Sequence, residues 1–250
     1  MKRKHMAVAL LALASCFAVS ADAFAGQTGT IKVNRDRDGT DAYSGTSAGE
    51  FKVVAFTGLN VPPLGNNVLT GGTGLFQTFC VEFNEDIAMA KTYDWELNTA
   101  AVGGGVTGGN PDPLDARTAY LFSQFWKGTL SDYEYTDLGD QVGERGWYSE
   151  QLQRAIWYLE GEVSSLTGYS QAQTWVNEAT TAISDGDWSG IGNVRVLNVT
   201  SIDATTGAVL QRQDLLVLVP LPPAAFAGFL LLGGMGVIRR RRRRKELLSS

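Results

Sequence analysis

Histidine occurs once in these 250 residues, at His5, and cysteine twice, at Cys16 and Cys80. His5 and Cys16 lie in an N-terminal stretch that reads as a cleaved leader, so the remaining chain has no histidine and one thiol. That composition excludes a Ser-His-Asp or Cys-His mechanism and a histidine-ligated zinc site. It also excludes an internal disulfide, even in an oxidising compartment. Basic residues are scarce as well: residues 26–218 hold 11 Lys and Arg against 24 Asp and Glu. A surface so acidic argues against nucleic acid as a partner. No cofactor motif is present, and an enzyme is not expected.

The two ends carry targeting chemistry. Met1-Lys2-Arg3-Lys4-His5 is basic, Ala7 to Val19 is apolar, and Ala23-Phe24-Ala25 is a small-x-small cleavage site. This order reads as a signal peptide over residues 1–25. Residues 26–218 then form the exported globular domain, long enough to bury a core. At the other end, Val219, Pro220, Leu221, Pro222, Pro223 and Ala224 precede an apolar run to Ile238. Arg239, Arg240, Arg241, Arg242, Arg243, Arg244 and Lys245 follow it. The uncharged run from Leu221 sits near the lower length limit for a membrane-spanning helix. The arginines would hold its end in the cytoplasm, with 246–250 as a cytoplasmic tail.

A proline motif, an apolar segment and a basic stop, in that order over residues 219–245, resemble the PEP-CTERM sorting signals, specifically the VPLPA variant. Pro223 stands where that variant has its alanine, with Ala224 after it. The resemblance implies processing by an exosortase, a membrane-embedded cysteine transpeptidase. The route it implies runs through an inner-membrane intermediate to the envelope, the surface or the medium.

Within the exported domain, Thr30 to Val33, Phe51 to Thr57 and Leu75 to Phe83 read as β-strands between turn residues. Helices are expected from Leu114 to Trp126, with Asp112 as cap and Pro113 in the first turn, from Ser149 to Glu160, and from Gln171 to Ile183. Val194 to Ile202 and Val209 to Leu218 read as a closing hairpin. The expected class is α+β: N- and C-terminal strands with a central helical segment, plus one C-terminal transmembrane helix.

Four groups of residues could carry function. Cys80 lies in the strand Phe79-Cys80-Val81-Glu82, and Gln153 lies in Leu152-Gln153-Arg154-Ala155-Ile156-Trp157. A lone strand cysteine is commonly a small buried hydrophobe. This pair also resembles the thioester domains of bacterial surface adhesins, which carry an aromatic-Cys strand and a Thr-Gln-x-Ala-Ile-Trp helix, here with Leu152 in place of the threonine. The resemblance implies a bond from the Cys80 sulfur to the Gln153 side chain and covalent coupling to a target. Second, Asn34, Asp36 and Asp38 before Gly39 resemble the opening of a calcium loop, although Gly45 replaces the closing glutamate and two arginines interrupt it. A polar surface turn is the alternative. Third, Trp95, Trp126, Trp147, Trp157, Trp175 and Trp188, with Tyr133, Tyr135, Tyr148 and Tyr158, serve either as core or as a glycan-stacking platform. Fourth, Glu82, Glu85 and Glu160 would be the acids of a glycan-active enzyme, though no spacing marks a catalytic pair. The reading that combines these features is a non-enzymatic, exosortase-processed surface or biofilm-associated binding protein, with extracellular polysaccharide or another surface as partner. The alternatives are a covalent adhesin with a Cys80–Gln153 thioester and an exported glycan-active enzyme.

Overall fold

The computed structural model describes residues 26–35, 50–62, 64, 75–107, 109–135 and 144–219. The leader, the segment 220–250, and Asp36 and Asp38 lie outside the described residues. The strands are β1 (Thr28–Arg35), β2 (Phe51–Phe56), β3 (Phe76–Thr78), β4 (Thr92–Asn98), β5 (Ala100–Ala101) and β6 (Asp112–Pro113). Three helices follow: α1 (Ala116–Lys127), α2 (Glu144–Leu159) and α3 (Ser170–Ser184). The chain then returns to strands, β7 (Val194–Ile202), β8 (Val209–Gln211) and β9 (Leu215–Leu218).

Seven strands make one antiparallel sheet in the order β3-β2-β1-β4-β7-β8, with β9 also paired to β7. Its two ends meet. Beyond β3, Cys80 bridges to Leu215 of β9, the Leu216 N–H donates to the Phe79 carbonyl (3.1 Å), and the Val81 N–H donates to the Asp214 carbonyl (3.0 Å). The result is a nearly closed, barrel-like sheet. Closure removes the unpaired edges that an open sheet leaves exposed.

This architecture corrects the expected class. The organising element is one nearly closed sheet, drawn from strands before and after the helices. Among the described residues no helix is long and apolar enough to cross a membrane. The segment expected to do so lies outside the described residues. One whole strand also went unpredicted. In β4, Tyr93, Trp95 and Leu97 are buried while Thr92, Asp94 and Glu96 are exposed, the two-residue alternation of a half-buried strand. Its charged outer face masked the pattern.

Helix α1 starts later than expected. Asp112 and Pro113 pair with Ala101 and Ala100 as β6, and the Leu114 N–H bonds the Thr99 carbonyl at 3.1 Å, so the backbone there is extended. Asp115 caps the helix, its carboxylate accepting the Arg117 N–H at 2.7 Å. Gly128, at φ 71°, ends it: the Gly128 and Thr129 N–H groups bond the carbonyls of Phe125 and Gln124.

The core is aromatic. Phe79 meets Phe125 edge to face at 5.0 Å, Phe76 lies against Trp126 at 5.3 Å, and Tyr133 stacks on Trp175 at 5.9 Å. Trp95, Trp126, Trp157 and Trp175 are fully buried, so these four are core and not a glycan platform. Trp147 and Tyr158 reach solvent.

Gly29 marks the tightest place in the sheet. It pairs with Trp95 across β1 and β4, and a Cβ there would sit 2.0 Å from the Thr57 carbonyl oxygen and 2.6 Å from the Trp95 ring. Backbone lines one side, so the strand must shift to admit a methyl group. Gly29→Ala should therefore lose about 3 kcal/mol in urea denaturation. A loss under about 0.5 kcal/mol would show that β1 and β4 do not approach this closely.

Candidate functional site

Helix α2 aims a polar row at the seam where β2 and β3 part. Phe51 pairs with Thr78 at the end of that ladder, so Glu50 and Cys80 lie just beyond it. Three α2 residues spaced four apart, hence on one helix face, fill the gap. Arg145 pairs with Glu50, Nη2 to Oε1 at 2.5 Å and Nε to Oε2 at 3.2 Å, and the Tyr133 hydroxyl donates to Glu50 Oε2 at 2.9 Å. The Ser149 hydroxyl accepts the Glu50 N–H at 2.7 Å. Gln153 reaches Cys80.

The Gln153 carboxamide binds the Cys80 backbone on both sides. Its Oε1 accepts the Cys80 N–H at 2.9 Å, and its Nε2 donates to the Cys80 carbonyl at 2.8 Å. It thus supplies the pair of bonds that a neighbouring strand would make. Gln153 is wholly buried, and Cys80 is 2% exposed. Gln153 thus lies in the interior, in direct contact with the residue that the sequence pairs with it.

Burial pushes the Cys80 thiol up well above its ordinary value, and the negative charges of Glu85 and Asp86 push it further. The thiol is therefore neutral, and a thiolate is disfavoured where it stands.

A second group adjoins this seam. Glu82, Glu85 and Asp214 bring carboxylate oxygens within 4.8 Å of one another. Glycine-rich residues 102–107 pass over them. The Val102 N–H donates to Asp214 Oδ2 at 2.6 Å, and Asn198 Nδ2 donates to the same oxygen at 2.7 Å. Nearby, Glu162 accepts the N–H groups of Phe83 (3.0 Å) and Val106 (2.9 Å). Burial pushes Glu85 up to about 9, aided by its hydrogen bond with Glu82 and the charge of Asp214. Burial pushes Asp214 up to about 7, against the Val102 and Asn198 hydrogen bonds. These oxygens are the described residues' candidate metal ligands.

Comparison with protein-family models, curated proteins and solved structures finds no match for this chain. The site therefore stands on its own geometry.

The other sequence-selected residues fall in different places. Asn34 lies in β1 opposite Lys52, and Asp36 and Asp38 lie outside the described residues. Of the sorting motif, Val219 alone is described: it is buried at the end of β9, its N–H donating to the Asn193 carbonyl at 2.9 Å. Pro220, Leu221, Pro222, Pro223, Ala224 and Arg239 to Arg244 lie outside the described residues. Glu160 is separate from the Glu82 group, with both its oxygens on the Asp115 N–H at 3.3 Å, and burial pushes it up to about 8.

Sequence reasoning missed the Arg145–Ser149 row and Asp214. A four-residue polar spacing ending at Gln153 was the available signal for the row. Nothing local links Asp214 to residues so far upstream.

Gln153→Ala would leave the Cys80 N–H and C=O buried without partners. Each such group costs about 1–3 kcal/mol, so the variant should lose roughly 2–6 kcal/mol in denaturation, and the Cys80 amide should exchange its hydrogen faster. Unchanged stability and unchanged exchange would mean that the carboxamide does not hold the seam.

Proposed function

We propose that this chain is an exported, non-enzymatic surface protein that attaches covalently to a target through an internal thioester between Cys80 and Gln153. The observation that carries the reading is the buried docking of the Gln153 carboxamide on the Cys80 backbone. The docking holds the acyl carbon within one residue's reach of the thiol. It also directs the Cys80 N–H at the oxygen that turns negative when sulfur adds, as an oxyanion donor does.

Formation would run as follows. The Cys80 sulfur adds to the Gln153 carboxamide carbon, the S–C bond forms, the C–N bond breaks, and the thiol proton leaves with the nitrogen as ammonia. The product carries no charge, which suits a place where the thiolate is disfavoured. Burial shields it from water. An amine on the target, entering when the seam opens, would form an amide at the Gln153 carbon and release the thiol.

The C-terminal motif fits this role. A VPLPA-type signal beginning at Val219, where the sheet ends, would hand the folded domain to an exosortase for delivery to the envelope, surface or medium. Replacing Pro220 and Pro222 with alanine should leave an unprocessed, larger species in the producing cell. Normal processing of that variant would remove the sorting part of the reading.

The thioester is read by intact mass. Freshly purified protein should lack the mass of one ammonia, and methylamine should add its own mass at Gln153 while freeing a thiol for alkylation. Cys80→Ala should show the full mass and no methylamine uptake. Wild-type protein of full mass, inert to methylamine, would reject the thioester and leave a non-covalent surface protein.

A further inference from the structure

The outer face of the sheet carries an open groove of about 590 Å³ that neither the seam nor the thioester uses. Its floor is β4, where the exposed Asp94 and Glu96 alternate with the buried Tyr93, Trp95 and Leu97. Register puts uncharged side chains on both sides of each carboxylate: Asp94 stands between Thr30 and Thr200, and Glu96 between Thr28 and Asn198. Opposite charges commonly stabilise such cross-strand neighbours, and here there are none. No basic residue lines the groove, and neither carboxylate has a hydrogen-bond or ion-pair partner among the described residues. Lys32, the next outward position after Thr30, lies opposite Thr92 and outside the groove.

The two ends of the groove differ. At one, residues 100–102 cross the sheet, held by Asn198 Nδ2 on the Ala100 carbonyl at 3.0 Å and by the Val102 N–H on Asp214. At the other, Ile202 pairs with Val209, one outward position beyond the Thr200–Gln211 pair. These two are 59% and 62% exposed, the most exposed large apolar side chains among the described residues. Same-face positions along a strand are about 6.6–6.8 Å apart, so Glu96, Asp94 and the Ile202–Val209 pair mark three successive steps.

We infer that the groove binds an extended basic peptide, with two cationic side chains at alternate positions over Glu96 and Asp94 and an aliphatic one, two residues further on, against Ile202 and Val209. An extended peptide has the same two-residue period as the strand beneath it, so these three side chains face the groove together. The unpaired carboxylates attract cations and repel nucleic acid or an anionic surface. No exposed aromatic ring lines the groove to stack a sugar. Neither Cys80 nor Gln153 takes part, so the groove stands whether or not the thioester forms.

The test is fluorescence anisotropy of the purified protein with a peptide labelled at its N-terminus with fluorescein, Gly-Arg-Thr-Arg-Thr-Leu-Gly. Its guanidinium groups stay charged and offer no amine to a thioester. A second peptide of the same composition, Gly-Arg-Arg-Thr-Thr-Leu-Gly, turns its two arginines to opposite sides of an extended chain. Wild type should bind the alternating peptide about threefold or more tighter than the second, and added salt should weaken it. Asp94→Asn with Glu96→Gln should keep the wild-type Tm and lose about fivefold or more in affinity. Asp185→Asn with Asp187→Asn makes the same change of charge on the exposed turn after α3 and should bind as wild type does. Equal binding of the two peptides, a comparison that needs no variant, would show only attraction to an acidic surface and overturn the groove. So would equal losses in the two double variants, or no binding by wild type at low salt. Displacement of the peptide by a neutral oligosaccharide, maltohexaose, would make the groove a glycan site and overturn the peptide assignment.

Discussion

The hydrogen bonds between the Gln153 carboxamide and the Cys80 backbone are the constraint on which the rest depends. Buried backbone groups around a nearly closed sheet must all be satisfied, and the β2–β3 ladder ends at Phe51–Thr78, leaving Cys80 beyond it without a strand on that side. Helix α2 makes up the shortfall with side chains. Arg145 neutralises the Glu50 carboxylate, Ser149 takes the Glu50 N–H, and Gln153 takes both polar groups of Cys80. The other side of the Phe79–Val81 stretch bonds to β9, which completes the ring. Cys80, the one cysteine of residues 26–218, therefore sits where sheet closure and helix docking meet. That placement gives the thioester reading its physical content. This carboxamide is held on the backbone of the residue that carries the thiol.

Charge is distributed with a similar economy. The seam pairs the buried Arg145 with Glu50. Of the neighbouring carboxylates, Asp214 and Glu162 accept N–H groups of the glycine-rich loop, Glu85 accepts the Asp214 N–H, and Glu82 and Glu85 hydrogen-bond each other. Of the nearby acids, Glu85 and Asp86 act on Cys80, where their charges add to burial in keeping the thiol protonated.

Legibility in the sequence followed the range of the signal. Helices α2 and α3 could be read because their apolar residues recur at helical spacing, and Leu152, Ala155 and Ile156 are all buried. Strand β4 carried an equally regular alternation, but its charged alternate positions resembled a surface loop. Asp112-Pro113 looked like a helix start because cap chemistry is local, and the pairing with Ala100–Ala101 that overrides it is not. Barrel closure and the Glu82–Glu85–Asp214 group depend on residues more than a hundred positions apart, which no spacing rule connects. The Cys80–Gln153 pair, 73 positions apart, is also beyond any spacing rule. It was found through its resemblance to a known two-part motif, and no periodicity would have joined its halves.

The most direct measurement is a high-resolution crystal structure of the wild-type protein, purified without exposure to amines or strong nucleophiles. The account predicts continuous density from the Cys80 sulfur to the Gln153 side-chain carbon. The Gln153 nitrogen should be gone, and the remaining oxygen should still be held by the Cys80 N–H. A free thiol beside an intact carboxamide that bonds both the N–H and the C=O of Cys80 would contradict it, leaving Gln153 as a structural substitute for a strand.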